Sequence, residues 1–553
     1  MIDSTGSAGP NKPILNIPVP GYKSPKSENL DGVTLRDSFQ SSSSKSTNYI
    51  ILPPEGPKGL KDMGSIFMSS ENKLKAMDVK VEDRLPVIGG FVANLDENKK
   101  TELSEAGYIV FKDEVKRWIP TDPVQKALET DKPGTAQKTE APVELKERPK
   151  MDGPRFDTPL TREYQGQGVT IAVIDSGLYP HPDFTTPENR IIGFVDFVNG
   201  KKVPYDDNGH GTHVAGCAAG SGLMSDGLHR GTAPKANLIG LKALSGAGGG
   251  KTSDVIKAIQ WCIQNKDKYN IRVINMSLGH TAQKDYQNDP SNIAVKKAYE
   301  AGIVVLAAAG NEGPGPKTVA SPGDSPHAIT VGAVDDNNTV RDPSDDSITG
   351  FSSRGPTVGG LMKPDIVAPG EAIIATMSPG TEDSSRRSNK LQETLKWLWS
   401  MPDEALMRVP EENLKLYGFA DATIERWFKS PQSARKEISR IFKAVQKTPL
   451  VDETYVGMPG TSMATPIAAG VVAQMLSANP DLDPGQVSQI IKMSAEKLPG
   501  DVPKTDQGHG MVNPHDAIQM SLDVKEGKLE IIPPVIEWPK AGKKKVKVKK
   551  SGD

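Results

Sequence analysis

The chain has 553 residues, more than a usual single domain, so two or more folded units with sizeable cores are expected. Lys and Arg number 67 against 69 Asp and Glu, and the formal net charge of -2 excludes a global field that would draw the chain to nucleic acid or to an anionic membrane. The 2 cysteines, Cys217 and Cys262, exclude a disulfide framework and a cysteine-rich zinc site, and they favour a reducing compartment.

The start of the chain shows no basic cluster followed by an apolar stretch, the pattern of a secretory signal peptide. No later run approaches the roughly 18 apolar residues that a membrane span needs. We therefore expect a cytoplasmic protein without a membrane span, and export by another route stays open.

Composition divides the first part of the chain into three segments. Residues 1–47 are rich in Ser, Pro and Gly and are predicted to be disordered. Residues 48–120 combine apolar runs, such as YIIL and VIGGFVANL, with a helix-like stretch, DENKKTELSEAG, and this indicates a small α+β unit. Residues 121–154 are polar, lack a periodic apolar pattern and are predicted to form a linker.

The main domain is predicted to span residues 155–525. Continuous apolar runs are typical of strands buried on both faces, and helical stretches lie between them; the runs are VTIAVID, NLIGLKAL, RVINMSL, GIVVLAAAG and AITVGAV. This alternation predicts an α/β fold with a mostly parallel sheet flanked by helices on both faces. Chemistry in such sheets gathers at the carboxyl ends of the strands, so the residues that follow each strand are the first candidates for a site.

Side chains at these ends form a candidate site for nucleophilic catalysis. Asp175 ends VTIAVID, Asn311 follows GIVVLAAAG, and Ser462 opens a helix after a glycine turn. His210 and His213 lie three positions apart in NGHGTHVAG. A serine nucleophile needs a base to take its proton, and a carboxylate orients that base. The tetrahedral oxyanion needs donors, for which the Asn311 amide and the Ser462 backbone N–H are candidates.

Each of these residues also has a simpler interpretation. Asp175 or Asn311 alone would serve as a turn residue, and Ser462 alone would serve as a helix N-cap. The two histidines suggest metal ligands, but HGTH lacks the glutamate and the spacing of an HExxH zinc site. Taken one at a time, these alternatives stay open.

The motifs VIDSG, HGTHVAG, AAAGNEG and GTSMATP follow one another in the order of the subtilisin-like serine proteases, which the predicted main domain resembles. YDDNGHGTHVAG, GAVDDNNT and FSSRGPT are most similar to the AprX-type intracellular members. The resemblance implies a serine endopeptidase in which Asp175 orients His210, His210 is the general base for Ser462, and Asn311 belongs to the oxyanion hole. It implies a packing role for His213. Four motifs in family order outweigh the separate alternatives.

The resemblance also implies a cleft for protein or peptide substrates. The predicted substrate-binding residues are Ser277, Leu278, Gly279, Ala308, Ala309, Gly310 and Ala320. The first three match the segment that pairs with an extended peptide, and the next three match one wall of the pocket for the side chain before the cut. Ala320 matches the pocket floor, where a small residue leaves room for a large apolar side chain; the alternative is an ordinary loop residue.

No cofactor is needed for this chemistry, and a structural calcium ion is allowed by the resemblance. Asp183, in HPDF, matches a calcium-binding position of many subtilisins. The usual calcium loop after HVAG is replaced by GSGLMSDGLHRG, so the metal site is left undecided.

Two regions depart from the family pattern. An insertion at about 380–452, with amphipathic helix patterns, replaces a short hairpin. Both of its ends lie beside the segment that carries Ser462, so we expect it near the cleft as a lid, a partner-docking module or a surface elaboration. Residues 526–553 end in a basic run, AGKKKVKVKKSGD, which is expected to be a solvated tail.

The unit at 48–120 ends in EVKRWI, which resembles the close of a subtilase propeptide. We expect this unit to be a folding aid and an intramolecular inhibitor, with cleavage in the linker; the alternative is a permanent accessory domain. The competing class of function is a catalytically inactive binding module, and the intact catalytic positions favour the endopeptidase.

Overall fold

The computed structural model describes residues 47–54, 63–119, 155–283, 286–339, 342–380, 382–416, 419–447 and 451–536. Three predictions therefore lie outside the described residues. They are the disordered segment 1–47, of which only Thr47 is described, the linker at 121–154, and the basic run at the C-terminal end.

The described strands, in chain order, are β1 (Thr47–Leu52), β2 (Val81–Leu85), β3 (Gly90–Leu95), β4 (Ile109–Lys112), β5 (Val115–Arg117), β6 (Thr170–Asp175), β7 (Ile191–Asp196), β8 (Asn237–Lys242), β9 (Gly249–Lys251), β10 (Ile271–Met276), β11 (Val304–Ala308), β12 (Ala328–Asp335), β13 (Ser347–Ile348), β14 (Ile366–Pro369), β15 (Ile373–Thr376) and β16 (Tyr455–Met458).

The described α-helices are α1 (Met63–Ala76), α2 (Glu97–Glu105), α3 (Pro159–Glu163), α4 (Pro182–Thr185), α5 (His210–Ala219), α6 (Thr252–Tyr269), α7 (Pro290–Glu300), α8 (Glu382–Ser400), α9 (Asp403–Leu406), α10 (Glu411–Leu416), α11 (Asp421–Trp427), α12 (Pro431–Val445), α13 (Thr461–Ala478), α14 (Pro484–Met493), α15 (Lys504–Gln507) and α16 (Pro514–Lys525).

The central sheet has eight strands in the order β13-β12-β11-β10-β6-β8-β7, with β14 also pairing to β12. Its strand pairs are parallel except β12 with β13. The five apolar runs singled out in the sequence form β6, β8, β10, β11 and β12, which are buried nearly throughout because helices cover both faces. The predicted α/β fold with a mostly parallel sheet is confirmed.

Helices on the two faces form two apolar cores. On one face α13 packs with α5, and Val214 and Val472 belong to the same core. Small and apolar residues along α13 let it lie against the sheet, and Ser477 alone among its residues is not fully buried. On the other face α6 and α7 bring Ile256 and Val295 into the second core. The sheet is therefore held rigidly between two layers.

The N-terminal unit is a four-stranded antiparallel sheet in the order β2-β3-β1-β4, with α1 and α2. Tyr49, Leu74 and Phe91 belong to its own apolar core. Ile50 and Val92, on the other side of the sheet, join the core under α6 and α7. This unit therefore packs directly on the outer helices of the main domain.

The insertion forms a helical subdomain, α8 to α12, between the paired strands β15 and β16. It has its own apolar core, which includes Leu395, Ile438 and the fully buried Trp427, whereas Trp397 is 53% exposed. The salt bridge from Lys447 to Glu371, at 2.8 Å, joins its end to the main domain. Its role as a lid, a docking module or an elaboration stays open.

No helix in the described parts of the chain is both long and apolar enough to cross a membrane.

Candidate active site

His210 and Asp175 meet at the carboxyl end of the central sheet. Asp175 is the last residue of β6, and His210 opens α5 directly after Gly209, whose φ of 91° favours glycine. His210 Nδ1 lies 2.8 Å from Asp175 Oδ1, and both side chains are buried. Because this bond uses Nδ1, the ring presents Nε2 as the proton acceptor.

The surroundings of His210 make its ring more basic. Burial by itself lowers the pKa of His210, but the charge of Asp175 and the hydrogen bond to it, together with the charge of Asp206, raise that pKa above the ordinary histidine value. The carboxylates favour the protonated ring. His210 is therefore a stronger base than a histidine in water, as a proton carrier for a serine requires.

Asp206 organises the turn that carries His210, and the sequence analysis did not assign it a role. Its Oδ1 accepts hydrogen bonds from Ser176 Oγ at 2.9 Å and from Gly209 N at 2.9 Å. Its Oδ2 accepts from Thr212 N and Thr212 Oγ1, each at 2.8 Å. An acidic residue four positions before His210, in DDNGH, was the available signal. Asp206 thus joins the residue after Asp175 to the first turn of α5.

His213 is a structural histidine. It is fully buried, and its Nε2 lies 3.0 Å from the carbonyl oxygens of Ile373 and Val456, in the two strands that flank the insertion. Burial lowers the pKa of His213 to about 3, so the ring stays neutral. The described residues contain no group of three His, Cys, Asp or Glu side chains that could hold a metal ion.

Ser462 lies in the first turn of α13. Ser462 Oγ donates to the carbonyl oxygen of Ser277 at 3.2 Å, and Ser277 Oγ donates to the carbonyl oxygen of Ser462 at 2.7 Å. Among the described residues no hydrogen bond joins Ser462 Oγ to His210. Catalytic hydrogen bonds often align only in the complex. The structure thus forms the Asp–His half of the predicted triad.

Two donors converge next to Gly460. Asn311 Oδ1 accepts from Thr461 N at 3.0 Å and from Thr461 Oγ1 at 2.9 Å, which turns the donor Nδ2 to the other side of the amide. A methyl group built on Gly460, whose φ is 148°, would lie 3.4 Å from Asn311 Nδ2 and 3.5 Å from Ser462 N. The first N–H groups of a helix lack intrahelical partners, so Ser462 N is available. The two donors therefore lie near one point, where the family resemblance predicts the oxyanion hole.

The predicted pocket residues converge on Ala320. A methyl group built on Gly279 would lie 2.9 Å from Ala320 Cβ, and one built on Gly310 would lie 3.1 Å from it. Ala320 N donates to the carbonyl oxygen of Ala309 at 2.8 Å. Gly279 and Gly310, from the two predicted wall segments, therefore both lie against Ala320.

The last described strand of the N-terminal unit lies along this cleft. Strand β5 pairs antiparallel with β9, and Gly279 N donates to the carbonyl oxygen of Trp118 at 3.3 Å. Trp118 is buried, and its Nε1 donates to the carbonyl oxygen of Gly250 at 2.8 Å. This segment thus adds a strand between β9 and the predicted substrate-binding edge.

A parallel sheet with a buried Asp–His pair at its carboxyl end and a serine in the first turn of a following helix, in the chain order Asp, His, Ser, resembles the subtilisin class of serine proteases. The profile of the subtilase family matches residues 166–510. The chain is 43% identical over 358 residues to serine protease AprX of Bacillus subtilis, which is 64% of this chain and 66% of that protein.

Subtilisin E of Bacillus subtilis is 39% identical over 225 residues, which cover 39% of this chain and 51% of that protein. A cuticle-degrading serine protease of Arthrobotrys oligospora is 33% identical over 234 residues, 41% of this chain and 50% of that protein. The matches thus span from 50% to 66% of the lengths of these relatives. The chain belongs to the subtilase family, and the resemblance predicted from the motifs is confirmed.

Proposed function

We propose that this chain is a serine endopeptidase that hydrolyses peptide bonds through Asp175, His210 and Ser462. The observation that carries the proposal is the buried hydrogen bond from His210 to Asp175 at the sheet end where the Asn311 amide and the Ser462 N–H also converge. A base, a nucleophile and oxyanion donors are the groups that acyl transfer needs. The names of two similar proteins, serine protease AprX and subtilisin E, support the proposal.

Each group has one task in the reaction. His210 Nε2 takes the proton of Ser462 Oγ as the oxygen attacks the peptide carbonyl carbon, and Asp175 stabilises the resulting imidazolium. Asn311 Nδ2 and Ser462 N donate to the oxyanion, and the N-terminus of α13 adds its positive dipole end. His210 then protonates the leaving amine, which leaves an acyl-enzyme. Water, deprotonated by His210, hydrolyses the ester and restores Ser462.

The pocket geometry favours a large apolar side chain before the cut. The proposed floor residue, Ala320, is small, and Gly279 and Gly310, in the proposed walls, carry no side chain. The edge at Gly279 offers its N–H to an extended chain, the way it already pairs with Trp118. Backbone pairing is sequence-independent, so we propose a broad specificity with this apolar preference.

We propose that the chain is made as a precursor whose N-terminal unit inhibits the site. The pairing of β5 with β9 and the hydrogen bond from Gly279 N to the carbonyl oxygen of Trp118 support this proposal. Asp113 Oδ1 accepts a hydrogen bond from Ser253 N at 3.0 Å and so caps α6. The N-cap residue of that helix, Lys251, makes no side-chain capping bond.

Cleavage between 121 and 154 stays a prediction, and so does the cytoplasmic location. The free, buried Cys217 and Cys262 agree with that location.

A fluorophosphonate probe is expected to label the processed enzyme on Ser462, because it reacts with serines that have a base and an oxyanion hole. Labelling is measured by intact mass and peptide mapping. The Ser462→Ala variant should take up no label, and Ser400→Ala, which changes an exposed serine of the insertion, should label as the unmodified chain does. A processed, folded chain that resists the probe would support the inactive binding module instead.

Activity is expected to rise from acid to neutral pH as His210 loses its proton. Only the neutral ring accepts the proton of Ser462, so kcat/KM increases through the pKa of His210. Because Asp175 raises this pKa, the midpoint should lie above the ordinary value of about 6.5.

The same titration is measurable by NMR on the inactive Ser462→Ala variant. The His210 ring signal should titrate above the ordinary histidine value, and Asp175→Asn should lower its pKa. His213 is the internal control, because its pKa of about 3 keeps it neutral over the same range. A rate that falls steadily from pH 5 to 8 would contradict His210 as the base.

A further inference from the structure

Asp183 is surrounded by hydrogen-bond donors. Its side chain is fully buried, and the Tyr455 hydroxyl donates to it, at 3.0 Å from Oδ1 and 2.9 Å from Oδ2. Gly222 N donates to Oδ2 at 2.9 Å, and Met224 N lies 3.4 Å from Oδ1. These four residues, Asp183, Gly222, Met224 and Tyr455, are called the Asp183 cluster below.

This donor set does not fit a calcium ion. Calcium binds six to eight oxygen ligands, each of which offers a lone pair to the cation. Around Asp183 the loop at 221–226 offers amide N–H groups instead, and both carboxylate oxygens are already acceptors. Among the described residues, Asp183 also belongs to no group of three or more His, Cys, Asp or Glu side chains that could hold a metal ion. The calcium ion that the family resemblance allowed therefore has no ligand set here.

Tyr455 connects this cluster to the insertion and to the nucleophile. It is fully buried at the start of β16, the first strand after the insertion, and seven residues before Ser462. Its ring centroid lies 5.8 Å from that of His181 and 5.3 Å from that of His229. Burial lowers the pKa of both histidines, so neutral rings pack around the hydroxyl that donates to Asp183. The segment that leaves the insertion is thereby tied to α4.

We propose that the Tyr455 hydroxyl and the two loop amides replace calcium at Asp183, and that this hydrogen-bonded cluster anchors the exit of the insertion to the main domain. The carboxylate negative charge, which a cation balances in a calcium site, is stabilised here by hydrogen bonds to a charged acceptor, which are stronger than bonds between neutral groups. The stability of the chain then depends on Tyr455 and not on calcium at this position. The proposal stands independently of the catalytic one.

The test measures thermal unfolding of the full chain in the Ser462→Ala background, which prevents self-digestion. Millimolar calcium chloride or EGTA should leave the Tm of this protein unchanged. Tyr455→Phe removes only the hydroxyl and leaves Asp183 short of a donor in a buried site, so Tm should fall by about 1–4 °C. Tyr299→Phe is the matched control, because that half-buried hydroxyl makes no hydrogen bond to any described residue, and its Tm should stay the same.

Two results would overturn the proposal. One is a rise of Tm with calcium that Asp183→Asn abolishes, since it would place a cation on this carboxylate. The other is an unchanged Tm in Tyr455→Phe, which would show that the hydroxyl contributes nothing. Limited proteolysis supplies a second readout if unfolding is irreversible: Tyr455→Phe should speed cleavage at the end of the insertion, and Tyr299→Phe should not.

Discussion

Replacing Ser462, His210 or Asp175 with alanine is expected to remove nearly all peptide hydrolysis by the processed enzyme. The three groups act as one unit, because the serine is a poor nucleophile without the base and the base is misoriented without the carboxylate. The losses known for a subtilisin are about 10⁶-fold for the serine or the histidine and about 10⁴-fold for the aspartate. Losses of this size are expected here, measured as kcat on a chromogenic peptide.

The pattern of the losses tests the shared role. The triple variant should be about as slow as Ser462→Ala alone, because removing one member already disables the unit. Asn311→Ala should lose about 100- to 1,000-fold in kcat with little change in KM, the magnitude known for the equivalent amide of a subtilisin. Its donor serves the oxyanion, which exists only along the reaction path.

Exposed residues of the same types supply the controls. His515→Ala and Ser400→Ala change side chains away from the site and should keep full activity. A triple variant much slower than Ser462→Ala would show that the three residues contribute independently to the rate. It would contradict the prediction that they act as one unit. Circular dichroism checks that each variant is folded, which matters for Asp175 because its carboxylate is fully buried.

The isolated N-terminal unit, 48–120, is expected to inhibit the processed enzyme in trans and to speed the refolding of 155–553. Its contacts are extensive: Asp113 caps α6, Val87 N donates to Gln260 Oε1 at 3.1 Å, and Asp83 pairs with Lys257 at 2.5 Å. Parallel sheets consist of non-local contacts and fold slowly, so a surface that holds α6 and α7 in place should lower the barrier. Inhibition is measured as Ki, and refolding as recovery of activity.

Single substitutions in the unit separate this role from that of a permanent accessory domain. Trp118→Ala should weaken inhibition by about 30- to 1,000-fold, because it empties a buried pocket and removes the bond to Gly250. Asp113→Ala removes a helix cap and should weaken inhibition by about 2- to 30-fold.

Neighbouring exposed positions supply the matched controls for these variants. Val115→Ala in the same strand and Glu114→Gln beside Asp113 should have little effect, because both side chains are exposed. If 155–553 refolds equally fast alone and the added unit fails to inhibit it, the precursor proposal should be abandoned.

Local sequence patterns predicted the central parallel sheet of this protein and the residues at its carboxyl edge. Runs such as VTIAVID and GIVVLAAAG are apolar at nearly every position and do not alternate with polar residues, which is typical of strands buried on both faces, so the parallel sheet followed from them. The rim residues Asp175 and Asn311 followed in turn, because the carboxyl ends of parallel strands meet at one edge. The choice of His210 over His213 rested on the family pattern.

Local sequence patterns could not predict the contacts between segments that are distant in the chain. In the sequence Asp206 is one more acidic loop residue, and its five hydrogen-bond donors become visible only when the turn before α5 closes on it. His213 owes its neutrality to its burial, where two carbonyl oxygens from β15 and β16 bond its ring. The burial of His213 has no local signal, and the signal for Asp206 is limited to an acidic residue four positions before His210.

The sequence by itself determined the parallel sheet, the family and the order of Asp175, His210 and Ser462, because burial periodicity and short motifs are written in neighbouring residues. Only the tertiary structure decided that Tyr455 donates to Asp183, 272 positions apart, and that Trp118 lies in the cleft against Gly250, 132 positions apart. The physical reason is that a hydrogen bond depends on the distance and direction between two groups. Those quantities are set by the packing of the whole chain and leave no periodic trace in the residues around either partner.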